Sequence, residues 1–368
     1  MQTFRVRGTS AAMALILAGC AVYDPQSAFQ RAFREHALGT TAAAPGDVTV
    51  QWFGVSTLLF RQGSEAILID GFFSRPNAWR TAFGRLGPEP SAVSAVLNTA
   101  YAGPIAAVFV AHAHHDHAQD APALARDSKR STVLYGSSSV LNLARGYGVQ
   151  EERLRLIRSS IPSEIAGFQV LAIQTPHARS RFPAAEIEEV RPLPAHALSY
   201  SAGPNYSFFV RRDDVRVLVV PSAGHEVIAD GDIFGEERAD IVFLGIGSLG
   251  KQDADFVDGF WNASVGRRHA KLVVLIHWDA FTHGLDEPLR PFSPPFDDVG
   301  TAYRHLCRLA RLDGTALRFI TPVAPVNLSE LATTPPPWTP CECGSTDTPI
   351  CDQGQLRAKL FFPDVLNS

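Results

Sequence analysis

A dense group of metal-binding residue types follows an apolar run in the first half of the chain. The run, residues 106–111, leads directly into His112, His114, Asp116 and His117. Its length and lack of polar residues are typical of a strand buried on both faces. His112 and His114 alternate and can point the same way, while Asp116 and His117 follow on a turn into a helix. Zinc, iron and manganese accept imidazole and carboxylate ligands, so the spacing predicts a metal site beyond the strand.

A metal at this position would activate water. Bound metal lowers the pKa of a coordinated water to about 7, which makes hydroxide available at neutral pH. Such a hydroxide attacks an ester, lactone, amide or phosphodiester, and Asp116 can hold the nucleophile or shuttle its proton besides ligating. The chain has neither a Gly-x-Ser-x-Gly elbow nor a phosphate-binding glycine loop, so serine-hydrolase and P-loop chemistry have no support.

Short runs of β-branched and aromatic residues predict the strands that position this cluster. We expect strands at residues 48–53, 57–61, 66–69, 106–111, 132–135, 168–173, 206–211, 215–220, 240–244, 271–276 and 317–320. We expect helices at residues 28–37, 91–100, 137–145, 254–263 and 298–312, the third capped by Ser137. Strand–helix alternation in two similar halves predicts an α/β protein, an αββα sandwich of two mixed β-sheets flanked by helices. Proline-rich residues 178–204 predict a long loop beside the site.

The histidine motif resembles the signature of the metallo-β-lactamase superfamily, and the resemblance extends beyond the motif. Residues 50–57 and 66–70 are similar to the opening strands of its ascorbate-phosphate-lactonase-like branch. Thr175-Pro176-His177 resembles the segment that bears the third histidine, and residues 274–278 resemble the late strand that carries the last one, His277. The similarity covers roughly residues 48–322 in order, and it implies the metallo-β-lactamase fold.

The resemblance also implies roles for individual residues. A first metal ion would be held by His112, His114 and His177, and a second by Asp116, His117 and His277. Asp70 would orient the cluster, as a carboxylate beside ligating histidines commonly does. We expect one or two zinc ions, with iron or manganese as alternatives.

One position departs from the family pattern. The family supplies a bridging aspartate after a strand in the second half, but here residues 217–220 are followed by Pro221 and then Ser222. A neutral serine is a poor metal ligand and brings no charge. The site is then mononuclear, or a hydroxide alone bridges two metals, or nearby His225 replaces the missing ligand.

Two functions are compatible with these residues. The first is a metal-dependent hydrolase at the cell envelope, acting on an ester or lactone, or on a phosphodiester. The branch implies a lactone or phosphate ester, and resemblance to N-acylphosphatidylethanolamine phospholipase D relatives implies a phosphodiester. The alternative is a non-catalytic metal- or ligand-binding lipoprotein with a degenerate site, which Ser222 favours and the six retained ligand residues oppose. Candidate substrate contacts are His283, Asp279 and the loop that bears His196.

The N-terminus has the pattern of a bacterial export signal. Basic Arg5 and Arg7 precede an apolar stretch, residues 11–18, that is too short for a permanent membrane span. The segment ends in Leu-Ala-Gly-Cys, which resembles a lipobox and predicts a signal peptide over residues 1–19 and lipidation of Cys20. An ordinary signal peptide is the alternative. Alanine rather than aspartate after Cys20 favours the outer membrane, facing the periplasm.

The remaining sequence divides into three parts and excludes one class of partner. We expect a tether and short helix over residues 20–47, the metal-binding domain over 48–325, and a proline-rich, cysteine-containing tail over 326–368. The cysteines other than Cys20 are Cys307, Cys341, Cys343 and Cys351. In an oxidising compartment we expect disulfides among them, and a metal-binding knuckle is the alternative. A net charge of −4 without basic runs opposes nucleic-acid binding. The expected partner is a small-molecule or lipid substrate, and the oligomeric state stays open.

Overall fold

The computed structural model describes residues 25–100, 103–127, 131–178, 182–224, 233–292 and 294–337. The export signal, Cys20, His225 and the three C-terminal cysteines lie outside these ranges. Lipidation, ligation by His225 and disulfide pairing therefore remain predictions.

The described chain forms two mixed β-sheets with helices on their outer faces. The strands are β1 (Ala37–Leu38), β2 (Val48–Trp52), β3 (Leu58–Gln62), β4 (Glu65–Ile69), β5 (Ala107–Phe109), β6 (Val133–Gly136), β7 (Leu154–Leu156), β8 (Pro162–Ile165), β9 (Phe168–Gln174), β10 (Tyr206–Arg212), β11 (Val215–Val220), β12 (Ile241–Gly245), β13 (Leu272–Ile276), β14 (Ala316–Ile320) and β15 (Val326–Asn327). The helices are α1 (Pro25–His36), α2 (Ala78–Phe83), α3 (Pro90–Ala100), α4 (His115–Ala118), α5 (Ala121–Arg126), α6 (Ser138–Gly146), α7 (Ala254–Ser264), α8 (Val299–Asp313) and α9 (Leu328–Thr333).

The two sheets have matching topologies. The order β15-β2-β3-β4-β5-β6-β7 is antiparallel up to β4 and parallel from β4 to β7. The order β8-β9-β10-β11-β12-β13-β14-β1 is antiparallel up to β11 and parallel beyond it. Apolar side chains join the sheets face to face, as where Phe60 contacts Phe243 and Phe109 contacts Phe208. The predicted αββα sandwich is confirmed.

Packed structure extends beyond both domain boundaries that were drawn from the sequence. On the N-terminal side, α1 packs on α8 and β14, where Phe29 lies edge-on to Trp278, Tyr303 and Phe319. On the C-terminal side, β15 covers the edge of β2, and α9 buries Leu328. Both segments belong to the domain because one buries an aromatic side chain and the other pairs a sheet edge that would otherwise be open.

Every predicted strand is present to within about three residues at each end, and Ser137 caps α6 through the Val140 amide. The short strands β1, β7, β8 and β15 were not predicted, because none contains a continuous apolar run of three residues and each is too short to show alternation. The described part of the predicted loop, residues 182–204, contains no strand and one 3-10 turn at Ala197–Ser199.

Candidate metal centre

The candidate ligands lie at one edge of the sandwich, where several strands end. His112 and His114 follow β5, His177 follows β9, and His277 follows β13. His114 is the N-terminal cap residue of α4, which carries Asp116 and His117. Because β4, β5 and β6 are parallel in one sheet and β11 to β14 in the other, the carboxyl ends of both groups meet there.

The six ligand residues form two groups. We call His112, His114 and His177 the histidine trio, and Asp116, His117 and His277 the mixed trio. Within each trio the candidate ligand atoms all lie within 4.8 Å of one another. Both trios border one cavity of about 100 Å³, whose wall also includes Ser222, Ser248, Phe182 and Phe281. The structure therefore brings together all six ligands that the sequence predicted.

Hydrogen bonds on the outer side of two imidazoles leave their inner nitrogens as acceptors. His114 Nε2 lies 3.1 Å from the Pro183 carbonyl, and His177 Nδ1 lies 2.7 Å from the Ala178 carbonyl. A carbonyl only accepts, so the proton of each ring is on that outer nitrogen. The inner nitrogens then present lone pairs, which is the arrangement that metal-binding histidines adopt.

Facing nitrogens have the spacing of shared ligands. His112 Nε2 and His114 Nδ1 are 2.9 Å apart, and His117 Nε2 and His277 Nε2 are 3.2 Å apart. Two nitrogens bound to one tetrahedral zinc at 2.0–2.1 Å are separated by roughly 3.3 Å. The donors present thus fit zinc in number, kind and approximate spacing.

Asp70 connects the mixed trio to the first sheet. Its Oδ2 accepts hydrogen bonds from His117 Nδ1 at 2.7 Å and Ser56 Oγ at 2.5 Å, and its Oδ1 accepts one from the Ala111 amide at 2.7 Å. Asp70 is fully buried and has a positive φ of 55°. The carboxylate orients His117 as the sequence predicted, and it also fixes the start of the motif loop; Ser56 was not predicted.

Burial and mutual repulsion keep most of these imidazoles neutral. Burial lowers the pKa of His112 well below its usual value and lowers that of His114 to about 3. Burial also lowers the pKa of His177 and His277. Neutral imidazole is the form that binds metal, so these ligands are available without giving up a proton at neutral pH.

The two residues of α4 shift in the opposite sense. Burial acts to lower the pKa of His117, but the adjacent Asp70 and Asp116 carboxylates outweigh it and raise the pKa. Burial acts to raise the pKa of Asp116, but the surrounding histidines, His117 first, outweigh it and lower the pKa. Asp116 is therefore ionised at neutral pH and supplies the negative charge of the mixed trio.

Ser222 lies in the cavity wall two residues beyond β11, where the family pattern expects an aspartate. It is buried, and its hydroxyl has no hydrogen-bond partner within the described ranges. The site thus has a neutral polar group where a carboxylate was expected.

A buried ion pair fixes the backbone that carries His277. Arg75 Nη2 and Asp279 Oδ2 are 2.6 Å apart, and both side chains are inaccessible to solvent. Asp279 Oδ1 accepts a hydrogen bond from the Val55 amide at 2.9 Å, and the Val55 carbonyl accepts one from the His277 amide at 2.8 Å. Val55, Arg75 and His277 all have positive φ, and any side chain at Gly54 would overlap the pair. We call Arg75 and Asp279 the clamp, because they hold a strained turn against the His277 strand end.

Of the predicted substrate contacts, Asp279 and His283 do not line the cavity, whereas the loop that bears His196 does so through Phe182. Asp279 belongs to the clamp, the His283 ring lies 3.2 Å from Glu287 on the surface, and the His196 ring lies 3.1 Å from the Ala82 carbonyl. Phe281 lines the cavity as well. The positions of Asp279 and His283 could not be predicted, because an isolated polar residue gives no signal about which side of a loop it faces.

Comparison with known proteins agrees with this geometry. The model of the β-lactamase superfamily domain matches residues 65–278, more than half of the chain, and the chain belongs to this family. It is 30% identical over 178 residues to a "UPF0173 metal-dependent hydrolase" of Polynucleobacter asymbioticus. The match covers 47% of this chain and 53% of that protein, so the chain spans about half the length of its curated relative.

Two solved structures are similar to this chain at low sequence identity. One is the metallo-β-lactamase fold protein YhfI from Bacillus subtilis, with a TM-score of 0.47 and 14% identity, covering 76% of this chain and 99% of that one. The other is Igni18, described as a novel metallo hydrolase from Ignicoccus hospitalis, with a TM-score of 0.46 and 16% identity, covering 76% and 97%.

Proposed function

We propose that this protein is a metal-dependent hydrolase, with zinc as the first candidate among zinc, iron and manganese. The observation that carries the proposal is the pair of trios on one cavity, with the ring nitrogens on the inner side of His114 and His177 left as acceptors. Membership of the β-lactamase superfamily domain family and similarity to a relative described as a metal-dependent hydrolase support it.

The chain's own residues have distinct roles in this proposal. Bound metal would supply Lewis acidity, acidifying water and polarising the electrophile. Asp116, ionised and at the cavity wall, accepts the proton of the attacking water besides ligating. Ser222 donates a hydrogen bond to a substrate oxygen, since its hydroxyl faces the cavity without a partner. Phe182 and Phe281 exclude bulk water and hold an apolar part of the substrate.

We propose an ester or lactone as the substrate class, with a phosphodiester as the alternative. The resemblance to the ascorbate-phosphate-lactonase-like branch supports a lactone or phosphate ester. A second candidate function is a non-catalytic metal- or ligand-binding protein. The neutral Ser222 favours that candidate, because two metals without a carboxylate bridge repel each other more strongly.

We also propose that the protein is exported and anchored through lipidated Cys20 at the outer membrane, facing the periplasm. The N-terminal sequence supports this proposal, because basic residues are followed by an apolar stretch and then by Leu-Ala-Gly-Cys. Within the part of the chain that the structure describes, no helix is long and apolar enough to cross a membrane.

The test of the hydrolase proposal measures metal content and turnover together. Mass spectrometry of the native chain and of His112→Ala should show bound zinc, iron or manganese in the first and a loss in the second. The same samples are assayed on an aryl ester, a lactone and an aryl phosphodiester. Metal without turnover of any of the three would favour the binding protein. No metal after reconstitution would reject the hydrolase and leave only a ligand-binding role.

A further inference from the structure

One helix displays its aromatic side chains to solvent. None of the residues of α2 is buried, and Trp79 and Phe83 are 75% and 69% exposed. Their rings pack on each other at 4.5 Å between centroids. Leu198, 54% exposed, lies beside them, because its amide bonds to His196, whose ring reaches the Ala82 carbonyl. We call Trp79, Phe83 and Leu198 the aromatic patch. Helices of soluble proteins normally bury their apolar face, so this exposed patch indicates a binding surface.

The chain on either side of the aromatic patch contacts segments that line the metal cavity. On one side, the chain leading into α2 places Phe72 against Phe281, with ring centroids 6.0 Å apart. On the other side, the chain leaving α2 forms a β-bridge between Leu86 and Ala195, within the loop that contributes Phe182. Phe182 and Phe281 line the cavity, so the chain on both sides of the patch leads to the segments that carry them.

Basic side chains accompany the patch. Arg80 lies between Trp79 and Phe83 in sequence and pairs with Glu89, yet its side chain keeps 44% of its surface exposed. Arg85, two residues beyond Phe83, is exposed as well. Arg80 and Arg85 outnumber Glu89, so the net charge of this surface is positive and complements phosphate groups.

The size and composition of the patch indicate its occupant. An aromatic side chain buries about 150–250 Å². Three side chains therefore fall short of the ~800 Å² per partner that a stable protein interface buries. Tryptophan and phenylalanine beside arginine are typical of segments that rest in the headgroup region of a bilayer, and a lipid surface needs no shape complement.

We propose that the aromatic patch inserts into the headgroup region of a phospholipid bilayer that contains anionic lipid, and so holds the cavity rim at the membrane surface. This contact is separate from the hydrolytic chemistry, because none of its residues touches the two trios. The patch contacts the membrane whether or not an acyl chain is attached to Cys20. With that chain attached, the protein has two membrane contacts.

The test is co-sedimentation with phosphatidylcholine vesicles, with and without phosphatidylglycerol. All chains carry Cys20→Ser, so that no acyl chain is attached and the N-terminus contributes equally to each. We expect the Trp79→Ser/Phe83→Ser chain to partition at least about tenfold less than its parent. Because α2 buries no side chain, the melting temperature of the doubly substituted chain should equal that of its parent.

The matched control replaces equally exposed apolar residues elsewhere. Phe296 and Leu312 are 73% and 71% exposed and lie on other segments, so Phe296→Ser/Leu312→Ser should bind as the parent does. Trp79→Phe should keep binding but lose the part of the tryptophan fluorescence that brominated lipids quench. Arg85→Ser should weaken binding to phosphatidylglycerol vesicles only.

Two results would overturn the proposal. Equal partitioning of the parent and the Trp79→Ser/Phe83→Ser chain would show that another surface meets the lipid. A concentration-dependent dimer that the same substitutions abolish, without vesicle binding, would show that a second copy covers the patch. Metal content and ester hydrolysis measured on these chains report separately on the hydrolase proposal.

Discussion

The histidine trio and the mixed trio border the same cavity but are held in place by different means. In the histidine trio, His114 and His177 bond to carbonyls of Pro183 and Ala178, which are backbone groups. In the mixed trio, His117 depends on the buried Asp70 carboxylate, and the backbone of His277 depends on the clamp. The supports of the mixed trio are thus charged side chains, and a single substitution away from the ligands can remove them.

The largest expected effects come from removing one ligand of each trio. We expect His177→Ala and His277→Ala each to lose about one metal ion and to slow ester hydrolysis by at least about a hundredfold, because bound metal supplies several kcal/mol. Metal content by mass spectrometry should show that His277→Ala keeps the ion of the histidine trio. If either variant loses both ions, the trios are one cooperative site and the comparison fails.

Breaking the clamp should weaken metal binding at the mixed trio and leave the histidine trio unchanged, although no ligand residue is replaced. Arg75→Met leaves the Asp279 carboxylate buried and unpaired, which costs about 3–5 kcal/mol of the free energy of unfolding. We expect a lower melting temperature and weaker metal binding at the mixed trio, while the histidine trio keeps its ion.

The control for the clamp is an ion pair in a solvated position. Arg216 and Asp240 are 2.9 Å apart, and 47% of the Arg216 side chain is exposed, so Arg216→Gln should cost less than about 1 kcal/mol. Unchanged metal binding in a destabilised Arg75→Met protein would mean that the clamp stabilises the fold without positioning His277.

This contrast also shows what the sequence could predict. The motif from His112 to His117 is local, so its spacing alone indicated ligands at a strand end. His177 and His277 were found through their resemblance to family segments. Asp279 was predicted to contact substrate; its partner Arg75 lies 204 positions away and shares no periodic pattern with it.

The fold shows the same limit. Strands of five or more residues were predicted, as were the short continuous apolar runs of β5 and β6, since their pattern is in the chain itself. The attachment of α1 and β15 was not predicted, because it depends on Phe29 meeting side chains some 250 to 290 positions away and on Val326 pairing with Val50. Such long-range contacts leave no mark in a local window.

A smaller effect is expected from the residue that orients His117. Asp70→Asn removes the charge that faces His117 Nδ1, and loss of such a partner typically weakens metal affinity 10–100-fold. Titration of the metal-free chain with zinc should show this weakening at the mixed trio alone. Asp120→Asn is the matched control, because Asp120 is equally buried but bonds to Ser74 and the backbone instead of a ligand. Equal weakening in both variants would attribute the effect to general destabilisation.

The smallest expected effect runs in the opposite direction. Ser222→Asp places a carboxylate in the cavity wall, and we expect it to tighten binding of the ion at the mixed trio about tenfold, since added ligand charge strengthens cation sites. Without metal, the new carboxylate repels Asp116, so the metal-free protein should melt at a lower temperature than its parent and gain more on adding zinc. Ser222→Ala, which removes the hydroxyl without adding charge, should show neither change. If the Ser222→Asp variant binds the ion of the mixed trio no more tightly than the parent does, the side chain at position 222 does not reach the metals. The difference between the trios then arises only from the residues that hold them in place.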